Sequence, residues 1–540
     1  MGDHLLEVRD LSVTFHTLRG PVQAVRGVNW HVDKGEVLAI LGESGSGKSV
    51  SASAVMDLID CPPGRITSGE ILFQGENLLT MSVGERRAIN GKRIAMIFQD
   101  PLSHLNPVYT VGWQIEETLV IHGVSREKAR VETLDLLAKV GIPDPKASAK
   151  KYPHQFSGGQ RQRLMIAMAL ALKPDVLIAD EPTTALDVTV QAQILALLEA
   201  LQAETGMGLV IITHDLGVVA EIADRVVVMN KGEIVEQGTA AGVYANPQHP
   251  YTQRLIAAAP GQGAIRDRPA KAAPLIEVRG AGKTYGEFVA LKHMDFDLYE
   301  GETLAIVGES GSGKSTMARL LLRLENATAG RAMYRGKDLF SVPASELHAM
   351  RRDIQMVFQD PTQSLNPRMT VFRLISEAWA IHPDILPQAR WQERAAHLLE
   401  EVGLGADHLH RYPHQFSGGQ RQRIAIARAL ALEPRVIVCD EAVSALDVQV
   451  QAQVIRLLDR LKAEHGLSYI FIAHDLPVVR DFADRVLVMQ AGELVEAGTT
   501  REIFDNPKQP YTINLLNASL DPDPEVQRRK KMALQQLEEV

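Results

Sequence analysis

Cysteine and long hydrophobic runs are the scarcest features of this sequence. Its 540 residues include two cysteines, Cys61 and Cys439, which excludes a disulfide-stapled fold. The longest apolar stretch, 164–172, ends at Lys173 and falls short of the roughly 18 residues that span a bilayer. The N-terminus has no basic region followed by an apolar segment, so no secretory signal is expected. Two isolated cysteines without an export signal favour a reducing, cytosolic compartment.

An excess of positive charge is also missing. The chain has 57 Lys and Arg residues against 66 Asp and Glu residues, a net charge of −9. Because proteins bind duplex DNA largely through basic side chains, broad electrostatic binding of nucleic acid is not expected. Hydrophobic residues make up 45% and charged residues 23%, which excludes a disordered chain. At about 150 residues per domain, the length predicts three or four domains.

A repeat of about 260 residues organises the chain. The segment GESGSGKS occurs at 42–49 and at 308–315, and YPHQFSGGQRQR begins at Tyr152 and Tyr412. The first pair is 266 positions apart and the second pair 260, so the second copy lacks six residues between these motifs. Solenoid repeats are much shorter than this unit. The sequence therefore predicts two homologous halves.

The domain bounds follow from the repeat and from local composition. We predict a first domain over 1–257, a linker over 258–274, a second domain over 275–519 and a charged tail over 520–540. The linker is rich in Gly, Pro and Ala and has no apolar period. Each domain ends in a small extension, NPQHPYTQRL or NPKQPYTINLL. The tail is either an amphipathic helix or a solvated helix end.

Short apolar runs alternate with helical patterns in each half. Nearly continuous apolar runs are typical of strands buried on both faces of a parallel sheet. In the first half these runs are 37–41, 176–179, 209–213 and 226–229. Such alternation predicts an α/β fold with helices on the faces of a sheet. Residues 101–170 and 361–430 show helical patterns without strands, which predicts a helical subdomain in each half.

The glycine-rich segments match GxxxxGK[ST], and each follows a predicted strand and opens a helix. Glycines leave room for backbone N–H groups to converge on phosphate oxygens, and the helix N-terminus adds partial positive charge. Lys48 and Lys314 can reach the β- and γ-phosphates, and the next serine offers a hydroxyl to Mg²⁺. The predicted ATP-binding residues are Gly42, Ser44, Gly45, Gly47, Lys48 and Ser49, and Gly308, Ser310, Gly311, Gly313, Lys314, Ser315 and Thr316.

Paired acids end one apolar run in each half. Asp180 and Asp440 end their runs and are followed by Glu181 and Glu441. An Asp at the edge of a sheet can hold Mg²⁺ through water. The adjacent Glu can polarise the attacking water as a general base. In each half, this pattern predicts a Mg²⁺ ligand beside a residue that can activate water.

The segment FSGGQRQR at 156–163 and 416–423 resembles the signature motif of ATP-binding cassette (ABC) proteins. The resemblance covers both halves and implies two tandem P-loop NTPase domains of the ABC type. Each domain would have a RecA-like α/β core, a helical subdomain and a small C-terminal extension. It also implies ATP and Mg²⁺ as cofactors, with each ATP site completed by the signature of the other half.

The resemblance assigns roles to individual residues. It implies that the residues completing the sites are Ser157, Gly158, Gly159 and Gln160, and Ser417, Gly418, Gly419 and Gln420. The implied catalytic residues are Glu181, Glu441, His214, His474, Gln99 and Gln359. The implied Mg²⁺ ligands are Ser49, Gln99, Asp180, Ser315, Gln359 and Asp440. Phe15 and Tyr285 match the aromatic residue that stacks on adenine, with a plain core aromatic as the alternative.

Two loops and two departures from the family pattern complete the comparison of motifs. The ALD segments 185–187 and 445–447 resemble the loop that couples the two sites. Val50 stands where the second half has Thr316, and Ala442 replaces the proline that usually follows the Asp–Glu pair. Both halves keep the glutamate, so we expect two sites that hydrolyse ATP.

The motifs around the Gln and in the extension resemble those of oligopeptide/dipeptide importer ATPases. The resemblance implies the motor subunit of a bacterial importer, peripheral on the cytoplasmic face of the inner membrane. Its expected partners are two integral-membrane permease subunits and an extracytoplasmic solute-binding protein, with no nucleic acid. Peptides are the expected cargo, and glutathione, nickel, opines or sugars are alternatives. A soluble translation-type ABC ATPase is a less favoured reading. The extension contains no cysteine, so no iron–sulfur cluster is expected.

Overall fold

A computed structural model describes residues 4–17, 20–184, 186–266, 273–444 and 446–538, with side chains to residue 532. Contacts divide the chain into two units. Unit 1 comprises Met1–Leu186, Val190–Ala259 and Leu520–Val540, and unit 2 comprises Asp187–Thr189 and Pro260–Ser519. Ala185, Ala445 and the linker residues 267–272 lie outside the described residues. The predicted bounds of the domains, linker and tail stay predictions.

The strands follow the predicted repeat. In unit 1 they are β1 (Leu6–Thr17), β2 (Gly20–Val32), β3 (Val37–Leu41), β4 (Gly64–Phe73), β5 (Glu76–Asn77), β6 (Ile94–Ile97), β7 (Val176–Asp180), β8 (Gly208–Thr213), β9 (Arg225–Asn230) and β10 (Glu233–Thr239). In unit 2 they are β11 (Pro274–Tyr285), β12 (Phe288–Tyr299), β13 (Thr303–Val307), β14 (Ala329–Tyr334), β15 (Lys337–Asp338), β16 (Ile354–Val357), β17 (Val436–Asp440), β18 (Ser468–Ile472), β19 (Arg485–Gln490) and β20 (Glu493–Thr499).

The helices show the same correspondence. The helices of unit 1 up to the linker are α1 (Lys48–Val55), α2 (Val83–Ile89), α3 (Pro101–His104), α4 (Val111–Ile121), α5 (Arg126–Lys139), α6 (Pro145–Ser148), α7 (Gly158–Leu170), α8 (Val188–Thr205), α9 (Leu216–Ile222), α10 (Ala240–Ala245) and α11 (Pro250–Ala257). Those of unit 2 are α12 (Lys314–Leu321), α13 (Ala344–Asp353), α14 (Pro361–Ser364), α15 (Val371–Ile381), α16 (Trp391–Glu401), α17 (Gly418–Leu430), α18 (Val448–His465), α19 (Leu476–Phe482), α20 (Thr500–Asp505) and α21 (Pro510–Ala518). The last helix, α22 (Pro524–Glu538), returns to unit 1.

A six-stranded sheet forms the centre of each unit. Its order in unit 1 is β10-β9-β3-β8-β7-β6, and the corresponding order is found in unit 2. All pairs are parallel except β9 with β10. Every residue of β3 and β8 is buried, as expected for strands covered on both faces. The predicted α/β fold is confirmed, and helices without strands occupy the region between β6 and β7.

Parallel strands bring the motif residues together at one edge of the sheet. In unit 1, β6 is followed by Gln99, β3 by the loop 42–49 and β8 by His214, while β7 ends at Asp180. These four strands are neighbours and run in the same direction. Their carboxyl ends therefore meet at the edge where open α/β sheets bind ligands.

A second, four-stranded sheet lies beside the first in the sequence of each unit. It has the order β2-β1-β4-β5 in unit 1 and β12-β11-β14-β15 in unit 2. Its strands pair in antiparallel fashion, and Leu6, Trp30 and Ile71 are buried in one core cluster with β3. In the part of the chain that the structure describes, no helix combines the length and the apolar character needed to cross a bilayer.

Unit 2 contains a buried ion pair that unit 1 replaces with a neutral contact. Lys462 Nζ lies 2.7 Å from Asp484 Oδ2 and donates to Thr303 Oγ1 at 2.8 Å. The two charged side chains are 6% and 4% exposed. At the corresponding place in unit 1, Gln202 donates to the carbonyl oxygen of Gly35 at 2.6 Å. Since a buried charge is tolerated only with a partner, the carboxylate of Asp484 depends on Lys462.

Lys462→Met is expected to lower the free energy of unfolding of unit 2 by about 3–5 kcal/mol, because it leaves a buried carboxylate without its counter-charge. Gln202→Met is the matched control in unit 1 and should cost about 0.5–1.5 kcal/mol, the usual net contribution of a neutral hydrogen bond. Hydrogen exchange resolved by unit at increasing urea concentration measures both. Equal costs for the two variants would contradict this role of the ion pair.

Candidate active sites

The glycine-rich loop of unit 1 connects β3 to α1 and closes around the ammonium group of its lysine. Gly47 caps α1 in the left-handed region with φ 97°. A Cβ on Gly42 would lie 2.3 Å from the carbonyl oxygen of Met229, so only glycine fits there. Lys48 Nζ donates to the carbonyl oxygens of Gly42 and Glu43 at 2.6 and 2.8 Å. The lysine is therefore held over the loop, where it can meet a phosphate.

Unit 2 repeats this loop between β13 and α12. Gly313 caps α12 with φ 101°, and a Cβ on Gly308 would lie 2.1 Å from the carbonyl oxygen of Met489. Lys314 Nζ donates to the carbonyl oxygens of Gly308 and Glu309 at 2.7 and 2.9 Å. Burial lowers the pKa of Lys314 although nearby carboxylates oppose the shift. A buried ammonium group of this kind gains most from an anionic ligand.

Each P-loop also holds a buried hydroxyl without a hydrogen-bond partner. The Oγ atoms of Ser46 and Ser312 lie in this state, and the two residues are 4% and 3% exposed. Buried polar groups are normally paired, so an unpaired hydroxyl inside the loop fits a site built for a polar ligand. Both loops therefore fit the phosphates of a nucleotide.

A serine and an aspartate lie together behind each loop. Ser49 Oγ donates to Asp180 Oδ1 at 2.9 Å, and Ser315 Oγ donates to Asp440 Oδ1 at 3.1 Å. Burial raises the pKa of Asp180 from 3.8 to about 6 and also raises the pKa of Asp440. Adjacent hydroxyl and carboxylate oxygens are the donors that Mg²⁺ prefers. The donor set in both units therefore fits Mg²⁺.

Glu181 stands at the end of β7 with its carboxylate held from three sides. Gln99 Nε2 donates to its Oε2 at 2.7 Å, and Thr184 Oγ1 donates to the same oxygen at 2.9 Å. His214 Nδ1 lies 3.1 Å from Oε1. The backbone of Glu181 has φ 47°, and its N–H donates to the carbonyl oxygen of Ile212 at 2.8 Å. A strained backbone held by its surroundings is typical of functional sites.

His214 and Glu181 shift each other's pKa. Burial disfavours the charged form of His214, but the hydrogen bond and charge of Glu181 outweigh it and raise the pKa of His214. Burial likewise disfavours the Glu181 carboxylate, but the hydrogen bond and charge of His214, the hydrogen bond from Thr184 and the charge of Lys48 together outweigh it and lower the pKa of Glu181. The arrangement keeps Glu181 ionised, as a general base requires.

Unit 2 has the same cluster with one contact fewer at the carboxylate. Gln359 Nε2 donates to Glu441 Oε2 at 2.7 Å, and His474 Nδ1 lies 3.5 Å from that oxygen. The hydrogen bond from His474 lowers the pKa of Glu441 despite burial. Ser444 Oγ donates to the backbone oxygen of Glu441 at 3.0 Å, whereas Thr184 reaches a carboxylate. The sequence prediction missed Thr184, although Thr against Ser at this position was the available signal.

The signature residues begin a helix in each unit. Ser157 caps α7: its Oγ accepts from the N–H of Gln160 at 3.3 Å, and Gln160 Oε1 accepts from the N–H of Ser157 at 3.1 Å. A Cβ on Gly159 would lie 2.3 Å from Val190 Cγ1. In unit 2, Ser417, Gln420, Gly419 and Val450 repeat these contacts. Gly159 is thus required by packing against α8, while Gly158 and Gly418 are exposed.

The two candidate adenine-stacking residues differ in exposure. Tyr285 is 41% exposed, and Lys283 Nζ lies 4.6 Å from the centre of its ring. Phe15 is half-buried and packs against the core cluster of the first sheet. Tyr285 therefore presents a ring face to a ligand more readily than Phe15, whose packing matches the core alternative.

The C-terminal extension reaches the P-loop in each unit, which sequence reasoning did not predict. Tyr251, on α11, accepts a hydrogen bond at its hydroxyl oxygen from the N–H of Glu43 at 3.3 Å. Tyr511, on α21, accepts the same bond from Glu309 at 3.2 Å. The Pro–Tyr–Thr triplets in the two extensions were the available signal. The extension is thus part of the support of the phosphate site.

Comparison with known proteins identifies what this chain is similar to. The profile of the family described as "ABC transporter" matches residues 25–184 and 291–444. That of the "Oligopeptide/dipeptide transporter, C-terminal region" matches residues 235–288 and 495–539. Among solved structures, cbiO1 from Clostridium perfringens, part of the ABC transporter complex cbiONQ, aligns with 48% of this chain and 100% of its own, at 26% identity and a TM-score of 0.41.

Curated relatives match nearly the whole chain. It is 47% identical to the glutathione import ATP-binding protein GsiA of Salmonella paratyphi A, and the match covers 98% of this chain and 92% of that protein. The protein of the same name from Escherichia coli strain K12 is 46% identical over the same shares. The chain therefore belongs to the ABC transporter family and is an ATPase that carries the C-terminal region of oligopeptide/dipeptide transporters in both halves.

Proposed function

We propose that this ATPase is the motor subunit of a bacterial importer for small peptides and that each half supplies one hydrolytic site. The observation that carries the proposal is the cluster of Gln, Glu and His beside a P-loop, which is present in both units. Two complete clusters support two active sites rather than one active and one degenerate site.

The residues of unit 1 divide the work of hydrolysis. The loop N–H groups and Lys48 hold the β- and γ-phosphates. Ser49 and Asp180 would hold Mg²⁺, which would neutralise charge on the phosphate oxygens. Glu181 orients the attacking water and takes its proton, because its carboxylate is ionised and fixed in direction. His214 would contact the γ-phosphate, and Gln99, which donates to the Glu181 carboxylate, would also hold the metal.

We propose that each P-loop site is completed by the signature of the other half. Ser417, Gly418, Gly419 and Gln420 serve the site of Glu181, and Ser157, Gly158, Gly159 and Gln160 serve the site of Glu441. The support is local geometry: both signature serines cap exposed helix N-termini, and such ends bind phosphate oxygens through backbone N–H groups. Nucleotide shared between two surfaces would favour their closed state, since a ligand shifts an equilibrium only by differential affinity.

The import role rests on the relatives. Proteins that match this chain over 98% of its length are named import ATP-binding proteins. We therefore propose two integral-membrane permease subunits and an extracytoplasmic solute-binding protein as partners, with this chain peripheral at the cytoplasmic face of the inner membrane. Hydrolysis would drive the permeases between their two orientations.

Peptides are the proposed cargo, and glutathione is the first compound to test, because it is named in the relatives. The assay uses proteoliposomes that contain this chain and the two permeases, together with the solute-binding protein. Labelled glutathione or a dipeptide should accumulate only when ATP is supplied on the side of the membrane that carries the ATPase. Nickel, an opine and a sugar serve as competing cargoes. Accumulation of one of these instead of either peptide would contradict the proposed cargo and leave the ATPase assignment intact.

Glu181→Gln and Glu441→Gln should each remove at least about half of the ATPase turnover, and the double variant should lose about 10²-fold or more, because each loses a general base. Glu204→Gln and Glu464→Gln are the matched controls, since they make the same change on α8 and α18 at positions 260 apart. Steady-state phosphate release measures all of them. Near-normal turnover in both single variants would overturn the catalytic assignment.

Asp180→Asn should stabilise unit 1 when no Mg²⁺ or nucleotide is present. The folded-state pKa of about 6 lies above the reference value of 3.8. The stability contributed by Asp180 is therefore present below 3.8 and lost as pH rises through 6. At pH 7.5 in EDTA, calorimetry should show a melting temperature higher by about 2–6 °C, together with loss of ATPase activity.

The gain should shrink to about half at pH 5 and vanish only below 3.8, where Asp180 is protonated in both the folded and the unfolded state. Asp175→Asn is the control, because Asp175 ends the loop before β7 and is half-exposed in an ion pair with Arg93. An equal gain at both pH values would show that burial of charge at Asp180 is not the cause.

A further inference from the structure

Two short segments follow the C-terminal extensions, and each packs on the unit that it enters. The chain leaves unit 1 at Ala259 and returns to it at Leu520. We call residues 260–266 the linker segment and residues 520–532 the tail segment. The linker segment packs within unit 2, and the tail segment packs within unit 1.

The tail segment binds two carboxylates of unit 1, on the helices that follow Glu181 and His214 in the chain. Lys531 Nζ donates to both carboxylate oxygens of Glu199, on α8, at 2.6 and 2.7 Å. It also lies 3.4 Å from Glu221, on α9. Gln527, which is 5% exposed, donates to Glu221 at 2.6 Å. The tail segment therefore bridges α8 and α9.

The linker segment binds two carboxylates on the matching helices of unit 2. Arg266 donates to Asp459, on α18, through both terminal nitrogens. The N–H groups of Gly261 and Gly263 donate to Asp481, on α19, at 2.7 and 3.1 Å. The linker segment therefore bridges α18 and α19.

The two pairs of acids occupy the same positions in the repeat. Glu199 and Asp459 are 260 residues apart, and so are Glu221 and Asp481. Their ligands are different: an ammonium group and an amide in unit 1, and a guanidinium group and backbone N–H groups in unit 2. We call these two pairs the acidic pairs. Both units thus keep the same receiving acids for two unrelated segments.

Beside each acidic pair a large residue packs against a small one, but the large residue is on the segment in unit 1 and on the helix in unit 2. On α9, a Cβ at Gly217 would lie 2.7 Å from Leu520 Cβ, so the helix is small where the tail segment is large. On α19 the matching residue is Pro477, and a Cβ at Gly261 would lie 3.2 Å from its Cβ. There the helix is large where the linker segment is small. Each segment therefore fits one unit better than the other.

In unit 1 the bridged helices α8 and α9 follow Glu181 and His214 in the chain, and α18 and α19 follow the matching residues of unit 2. Helix α9 begins directly after His214 and Asp215. Asp215 accepts a hydrogen bond from Gln191, on α8, at 3.1 Å, and Asp475 accepts the same bond from Gln451 at 3.0 Å. Each pair of helices is thus joined near the active site by a glutamine and farther along by a segment. Two separated contacts fix the direction of a helix better than one.

We propose that each acidic pair is a docking site for the segment that follows an extension, and that the docked tail segment holds α9 so that His214 stays against Glu181. Lys531 is then a positioning residue for the first ATP site, and Arg266 has this role for the second. The proposal rests on the catalytic roles proposed above for the histidine and the glutamate.

The contact is stronger than an ordinary surface ion pair for structural reasons. Exposed pairs contribute little, but Lys531 faces two carboxylates and its side chain is 30% exposed. Leu520 also packs against a core cluster that includes Val218 and Ile222, on α9. Because the tail segment is tethered to the same chain, its effective concentration at the acidic pair is high.

Lys531→Glu in the full chain tests the proposal, since it places a third carboxylate beside Glu199 and Glu221. We expect hydrogen exchange of the α9 amides to rise about tenfold and turnover at the first site to fall about three- to tenfold, with the KM for ATP within twofold. Vanadate trapping of azido-ATP, with labelled peptides assigned to each half, reports the sites separately. Lys531→Arg should behave like the parent protein.

Arg528→Glu is the matched control, because it makes the same charge change on α22 at an exposed residue. Arg266→Glu should show the mirror result and reduce trapping at the second site alone. Faster α9 exchange in Lys531→Glu with parental turnover at the first site would overturn the positioning role. Unchanged α9 exchange would overturn the docking role. If the protein formed dimers that dissociated only when the tail was removed, the tail would dock on a second copy of the chain. That result would overturn docking within one chain.

A second pair of variants keeps the test independent of folding defects. Gly217→Ala should displace the tail segment because the new Cβ meets the Cβ of Leu520, and Leu520→Gly in the same chain, which removes that atom, should restore both protection and turnover. Failure of the second change to restore them would contradict the packing argument. The two proposals can fail separately. If Glu181→Gln left turnover at the first site intact, the proposed catalytic role of Glu181 would be wrong. If Glu181→Gln abolished that turnover but Lys531→Glu had no effect, only the docking proposal would be wrong.

Discussion

The alignment of parallel strands is the constraint on which both sites depend. Four neighbouring strands end at one edge of the sheet, so residues that are up to about 115 positions apart can share one carboxylate. Gln99, Thr184 and His214 all contact Glu181 there. None of these contacts is local in sequence except that of Thr184. A change of strand order or direction would separate the base from the P-loop, whatever the motifs, because side chains reach only a few ångströms.

The same edge collects charge that a stable protein would avoid. Asp180 is buried with a raised pKa, Glu181 has a strained backbone, and Ser46 keeps an unpaired hydroxyl. Each feature costs stability in the free protein. All three features are expected in a site that binds a metal and phosphates, because these ligands supply the missing charge and hydrogen bonds. The pattern is that of a site organised for a ligand before the ligand arrives.

Sequence patterns predicted those features that depend on local order. Buried strands such as Val37–Leu41 follow from apolar runs, and the P-loop follows from glycine spacing. The contact of Tyr251 with Glu43 joins residues 208 positions apart, and no local pattern indicates it. Lys531 appeared only as one charge in a polar tail, since its partners Glu199 and Glu221 are placed by folding. Motif roles could be predicted, whereas the contacts that support them required the fold.

Differences between the halves carry information that their similarities do not. The acidic pairs occupy matching positions of the repeat while their ligands differ, as expected if both pairs receive a segment. Gly217 and Pro477 diverged together with Leu520 and Gly261, as expected when each surface meets one segment. On a single chain each segment is used once, so nothing requires the two contacts to stay interchangeable. Their mismatch would then disfavour exchange of the segments and favour one arrangement of the chain.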